Sequence, residues 1–274
     1  EGEKEKVFDF LVLQMESFHL YRSSSFLVMP VVVCGTLNDV INKYGSDPMD
    51  SKKVVPEELA IVYSYYVMKA IKLCHSCGII HSDVKPSNFL VSMGRVEEVK
   101  RLPKWEGQLD GEWGKFSLKL IDFGRSIDTK AYNSPSSPSS LAPLFEGDEH
   151  VEGFRSTKMA EGGKWCFDVD LYGVAGVIHL LLFGKYMETT KKEGEKEMCV
   201  SKFARYQQHW QEVFEKLLGF EDEGKHHRDG EACANVLEEC CDMLVKFLTS
   251  NNGKQRSLRL TFCRLINKMR NTKV

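Results

Sequence analysis

Apolar and polar positions along this chain describe a short β-rich opening and a long helical remainder. Residues 11–13 and 18–21 are strand-like, and a turn follows at 23–25. Residues 26–33 are apolar and rich in β-branched side chains, the pattern of a buried strand. Gly35 ends that run, and Leu37, Val40 and Ile41 recur at helical spacing. Pro56, Glu57 and Glu58 open a helix, with proline in the first turn and acids at the positive end. Its apolar positions run through Leu59, Val62, Tyr66, Met68, Ile71 and Leu73 to a stop near Gly78. Short strands are predicted at 89–91 and 116–121, separated by a polar, charged stretch that reads as an exposed insertion at about 93–115. Helices are predicted at 169–183, 201–219, 230–250 and 255–271. Sheet first and helices afterwards, with no repeating βαβ unit, predicts an α+β fold with a small β part and a larger α part.

Composition narrows the class. The 274 residues are 42% hydrophobic and 28% charged, enough for a core in one large or two small domains. The net charge of −2 implies no general affinity for nucleic acid or a membrane surface. The longest apolar run, 174–183, is interrupted by Gly176 and His179 and falls short of the roughly 18 residues of a membrane span. Residues 1–6 are charged, with no apolar signal core behind them. Nine cysteines, two of them adjacent at Cys240 and Cys241, fit reduced thiols in the nucleus or cytoplasm. Cys74 and Cys77 with His75 and His81 raise zinc, but no second ligand pair stands at finger spacing. Small buried residues near a helix end explain them better. Residues 134–140 read SPSSPSS, a flexible tract with two Ser-Pro sites.

The chemistry lies between the first long helix and the strand at 116–121. His81-Ser82-Asp83-Val84-Lys85-Pro86-Ser87-Asn88 and Ile121-Asp122-Phe123-Gly124 each adjoin a predicted strand. Together they resemble the catalytic loop and D-F-G motif of protein kinases. Phosphoryl transfer needs positioning and charge neutralisation more than covalent chemistry. Asp83 suits a base that accepts the proton of an attacking hydroxyl, and Lys85 suits a cation at the reaction centre. Asn88 and Asp122 offer the oxygen ligands that magnesium prefers. His81, Phe123 and Gly124 are expected to support the site. Asp170, in Asp170-Leu171-Tyr172-Gly173, resembles the buried aspartate that tethers a kinase catalytic loop. Residues 26–37 look like the strand and hinge behind adenine, with Met29 lining the nucleotide pocket and the backbone of Pro30 and Val32 facing the adenine edge.

Residues 78–91 (GIIHSDVKPSNFLV), 120–128 (LIDFGRSID) and 170–187 (DLYGVAGVIHLLLFGKYM), with the basic tail helix 256–270, are similar to the Bub family of mitotic spindle-checkpoint kinases. The resemblance covers about residues 9–274. It implies a bilobal protein-kinase fold with an incomplete N-lobe at 1–33. Residues 34–274 would form the hinge and a mainly helical C-lobe, with a flexible activation segment at about 125–153. It also implies a serine/threonine kinase that uses ATP and Mg2+, kinetochore and checkpoint partners, a histone-tail substrate for the active branch, and residence at the kinetochore in mitosis. No direct nucleic-acid or membrane partner is expected.

Departures from the pattern leave alternatives open. No G-x-G-x-x-G precedes the hinge, and neither Lys4 nor Lys6 sits in an apolar strand. Residues 7–10 resemble at most a remnant of the helix that carries the partner glutamate, with Asp9 in its place. Either segments are missing from the sequence or the chain cannot orient ATP properly. The second reading is therefore a pseudokinase acting as a docking module; a small-molecule kinase is a weaker third. Ser82 replaces the arginine of H-R-D, which weakens any switch by loop phosphorylation. Lys158 stands where the A-P-E glutamate is expected, so the usual ion pair with arginine cannot form and this segment must be held differently. Arg256, Arg259, Arg264, Lys268, Arg270 and Lys273 are expected on the solvated side of a closing amphipathic helix whose apolar face is Leu258, Phe262, Leu265, Ile266 and Met269. Residues 225–227 are expected to form an exposed loop.

Overall fold

The computed structural model describes residues 11–45, 54–101, 109, 111–132, 141–147, 154–190, 197–200, 208–222 and 226–270. The chain opens with an antiparallel hairpin of β1 (Ser17–Leu20) and β2 (Ser25–Val28). Then follow α1 (Leu37–Gly45), α2 (Glu57–Ser76), β3 (Ile79–Ile80), β4 (Phe89–Val91), α3 (Val96–Arg101), β5 (Leu118–Leu120) and β6 (Ile127–Asp128). After these come α4 (Thr157–Ala160), α5 (Asp168–Phe183), β7 (Thr189–Thr190), β8 (Met198–Cys199), α6 (Gln208–Leu218), α7 (Gly230–Ser250) and α8 (Asn252–Arg270).

The core forms around α2 and α5. Both are apolar on nearly every side, which buries a helix rather than leaving it at the surface. All residues of α5 from Asp168 to Leu182 are buried, and α2 packs against α5, α7 and α8. Pro56 caps α2, and its first-turn acids anchor neighbouring helices. Glu57 accepts from Trp210 Nε1 of α6 at 2.9 Å, and Glu58 accepts from Thr261 Oγ1 of α8 at 2.7 Å. The closing helix buries Leu258, Phe262, Leu265 and Ile266 and exposes Arg256, Arg264 and Arg270, while Arg259, Lys268 and Met269 are half-buried.

Two short ladders position the loops between these helices. β4 pairs antiparallel with β5 in the register Phe89↔Leu120 and Val91↔Leu118. β3 pairs with β6 in the register Ile79↔Asp128 and Ile80↔Ile127. Val12 bridges to Leu120, and Leu13 N donates to the Leu120 carbonyl, so the start of the chain leans on the same sheet.

Two expectations need correction. The strand predicted at 26–33 ends at Val28, and its apolar side chains are exposed rather than buried: Phe26 57%, Leu27 53% and Val28 40%. The hairpin has no third strand among the described residues, and a β-branched run says nothing about what covers it. The stretch at 93–115 is not wholly exposed. Val99, Leu109, Trp113 and Phe116 are buried, and Tyr66 Oη donates to the Leu109 carbonyl at 2.6 Å. Leu109, Trp113 and Phe116 stand at helical spacing, a signal hidden among the polar residues. The residues at 7–10, 134–140 and 201–207 and Lys273 lie outside the described residues.

Gly173 of α5 sets the distance between this core and the loop above it. A β-carbon there would lie 2.7 Å from Val84 Cβ and 3.0 Å from the Val84 carbonyl oxygen. Gly173→Ala is therefore expected to push the 81–88 loop away and to cost about 2 kcal/mol of stability, measurable by urea unfolding. An unchanged midpoint would show that the loop yields freely.

Candidate active site

The loop 81–88 and the turn 121–125 meet because the two ladders hold both of their ends. Ile121 N donates to the Asn88 carbonyl at 2.9 Å, continuing the β4–β5 register by one step. Ser82 Oγ donates to the Arg125 carbonyl at 2.7 Å. His81 lies edge-on to the ring of Phe123 at 5.2 Å, and its Nε2 donates to the Ile121 carbonyl at 3.2 Å. A carbonyl only accepts, so Nε2 carries the proton and Nδ1 faces Asp83 N at 3.4 Å.

Asp170 is the buried anchor of this assembly. It has no solvent exposure and accepts three hydrogen bonds: His81 N at 2.8 Å, Ser82 N at 2.8 Å and His75 Nε2 at 2.9 Å. A buried carboxylate needs this many donors to offset its lost hydration. Its place in the first turn of α5 adds the positive end of a helix. His75, at the end of α2, also packs edge-on to Phe167 at 4.9 Å. Sequence reasoning considered His75 only for zinc. Its signal as a support was its place in the last turn of the helix that delivers the loop. Cys74 beside it is buried, and burial pushes its thiol well up, so it remains protonated.

Asp83, Lys85 and Asn88 converge on one point. Lys85 Nζ donates to Asp83 Oδ2 at 2.6 Å, and Asn88 Nδ2 donates to the same oxygen at 2.9 Å and to the Asp83 carbonyl at 2.8 Å. Asp83 is only 5% exposed, so its carboxylate is held in one orientation. Asn88 turns both amide hydrogens toward Asp83, which leaves its Oδ1 directed away from that contact. Asp122, in contrast, is exposed, and its Oδ1 accepts from Gly124 N at 3.4 Å. Ser82 and Asp122 are the two non-glycine residues in the left-handed region among the described residues, at φ 60° and 65°. Such strain persists where the surroundings fix it, and it concentrates at functional sites.

An amide oxygen and a carboxylate are the donor types a hard cation takes alongside water and phosphate oxygens. The pair fits magnesium in chemistry. Among the described residues no cluster of three or more histidines, cysteines or acids could hold a metal by itself, so other ligands would come from the phosphates and solvent.

Met29, Pro30 and Val32 lie on the segment between the hairpin and α1. Met29 and Pro30 are exposed and Val32 is half-buried, while Val31 and Val33 point outward at 87% and 88% exposure. The segment reaches the site through Gly35 and Thr36, which pair with Val91 and Leu90 of β4. Gly35 has φ 75°, a conformation glycine adopts without strain, and a β-carbon there would sit 2.6 Å from Asp39 Oδ2.

Lys158 is held, but by a different partner from the one a kinase ordinarily uses. Its Nζ donates to Asp168 Oδ2 at 2.7 Å, and Asp168 Oδ1 accepts from Cys166 N at 2.7 Å. Asp168 is fully buried, so removing its cation leaves a buried charge unpaired. Lys158→Glu is expected to cost about 3 kcal/mol or more in a urea titration, and Lys158→Arg well under half of that. Equal losses for both variants would show that the pair contributes little.

The geometry agrees with comparisons to known proteins. The protein kinase domain family matches residues 7–269. The mitotic checkpoint serine/threonine-protein kinase BUB1 of Arabidopsis thaliana is 34% identical over 250 residues, 87% of this chain and 44% of that protein. BUB1 of Mus musculus is 31% identical over 214 residues, 77% of this chain and 18% of that protein. This chain therefore spans less than half the length of these relatives. The crystal structure of the BubR1 kinase domain superposes with a TM-score of 0.70 at 23% identity, covering 98% of this chain and 73% of that one, a likeness that shows the fold. A catalytic-loop sequence and a D-F-G turn brought together on paired strands, within a family match over nearly the whole chain, lead to one assignment: this chain belongs to the protein kinase domain family, with BUB1 checkpoint kinases among its relatives.

Proposed function

We propose that this chain is the serine/threonine kinase domain of a spindle-checkpoint protein and transfers the γ-phosphate of ATP to protein hydroxyls. One observation carries the reading. Asp83 is held by Lys85 and Asn88 within 2.6–2.9 Å, on a loop that the buried Asp170 fixes from beneath. A carboxylate so held can take the proton of an attacking hydroxyl, and Lys85 can place positive charge beside the oxygens where charge develops. Asn88 Oδ1 and Asp122 would hold Mg2+, which when bound neutralises phosphate charge. Met29 would line the adenine pocket, with the backbone of Pro30 and Val32 at the adenine edge. Pro30 lacks an N–H and keeps the carbonyl that such an edge requires. His81, Phe123 and Gly124 keep the loop and turn together. A histone tail is the proposed substrate and kinetochore checkpoint proteins the proposed partners, in the nucleus and cytoplasm and at the kinetochore in mitosis.

A docking module without catalysis is the second reading. It is favoured by Lys158, which stands where the A-P-E glutamate is expected and pairs with the buried Asp168 instead of an arginine. Incubation of the chain with labelled ATP, magnesium and core histones separates the two readings. Phosphoserine or phosphothreonine in the histones, absent when magnesium is chelated, supports the enzyme. No incorporation by a cooperatively folded chain supports the docking module.

A further inference from the structure

The segment from Phe154 to Gly163 is tied to the first turn of α5 through Lys158 and Asp168, two residues from the Asp170 that holds the loop carrying Asp83. Glu197, just before β8, is 2% exposed, and its carboxylate accepts from both Thr157 Oγ1 and Thr189 Oγ1. The two threonine hydroxyls lie 3.4 Å apart. Thr157 belongs to α4 and Thr189 to β7, so one buried acid joins three pieces of chain. Around it, β7 and β8 pair in the register Thr189↔Cys199 and Thr190↔Met198, and Val200 N donates to the Glu188 carbonyl at 2.9 Å. Phe154 meets Tyr186 edge-on at 5.9 Å, a second tie between the same two regions. Ser156 is fully buried and caps α4 by accepting from Met159 N at 3.2 Å. This α4 segment therefore rests on two acids: Asp168 through Lys158 and Glu197 through Thr157.

We infer that Glu197 is a positioning residue for the polypeptide substrate: it docks the β7–β8 hairpin onto α4 and so fixes the surface on which the polypeptide lies. The hairpin presents Met198 and Val200, 47% and 51% exposed, and Tyr186 at its base is 50% exposed. These apolar groups form the wall that Glu197 holds beside α4. The chemistry of the tie is acceptance of two hydroxyl protons. An amide oxygen accepts two hydrogen bonds as a carboxylate oxygen does, so glutamine can replace the acid, whereas alanine removes the shared acceptor and leaves the two threonine hydroxyls only each other.

This inference rests on the phosphoryl-transfer reading, and the test keeps the two apart. Glu197→Ala, Glu197→Gln and Thr189→Val are compared with the native chain for histone KM, for hydrolysis of ATP by water without histone, and for amide exchange across 154–163. Glu197→Ala is expected to raise the histone KM at least tenfold, to leave ATP hydrolysis within twofold, and to speed amide exchange in that segment. Thr189→Val should show a smaller rise in KM, and Glu197→Gln should stay within threefold of the native value. If Glu197→Ala does not fold, Thr189→Val alone carries the comparison. An unchanged histone KM, equal losses for alanine and glutamine, or a parallel fall in ATP hydrolysis overturns the inference. Absence of phosphate transfer by the native chain overturns the enzyme reading, and this inference falls with it.

Discussion

Asp83→Asn is expected to lower phosphate transfer to protein by about a thousandfold while leaving the melting temperature within a few degrees of native. Asparagine is nearly isosteric, and its carbonyl oxygen can still accept from Lys85 Nζ or Asn88 Nδ2, which both meet Asp83 Oδ2 in the native chain. What it cannot do is take a proton from an attacking hydroxyl. The loss should therefore fall on kcat, with the KM for ATP little changed, because nucleotide contacts are assigned to other residues. Steady-state kinetics at saturating ATP checks this. A variant that retains more than a tenth of native kcat would remove Asp83 from the role of base.

Asp170→Asn is expected to have the larger effect on the fold. The three donors that converge on the Asp170 carboxylate, from His75, His81 and Ser82, leave no side where an amide NH2 is welcome. Turning the amide nitrogen toward either position places a donor against a donor in a site without solvent. The cost is expected to be about 3 kcal/mol. Because the lost bonds hold the backbone of residues 81 and 82, transfer activity should fall together with stability. That coupling distinguishes Asp170→Asn from Asp83→Asn, in which activity alone falls. Urea unfolding and kinetics on the two variants side by side make the contrast; a fully stable Asp170→Asn chain would show that the tether is dispensable.

Much of this was legible in the sequence where local rules govern it. The strand Phe89–Val91, the helix Gly230–Ser250 and the start of α2 at Glu57 follow from periodicity, turn residues and capping chemistry within a few positions. The loop 81–88 and the turn 121–124 were readable because each carries its residue types at fixed spacing beside a strand. What failed depended on neighbours distant in sequence. The strand at 26–33 had the composition of a buried element, but burial belongs to the partner that covers it. Trp113 and Leu109 were masked by the glycines and charges around them, although their spacing was helical. Lys158 was recognised as out of place, yet its partner Asp168 could not be named. Glu197 lies 40 residues from Thr157, and nothing in its charged surroundings marks it as buried.

The proposed magnesium site pairs Asn88 with Asp122, whose segments meet where Ile121 N donates to the Asn88 carbonyl at 2.9 Å. Its most direct test is the thermal shift of the native chain and of Asp122→Asn with millimolar ATP, with and without magnesium. A rise in melting temperature that requires magnesium in the native chain and is lost in Asp122→Asn is the predicted result. A cooperatively melting native chain that shows no shift under any of these conditions would contradict this proposal.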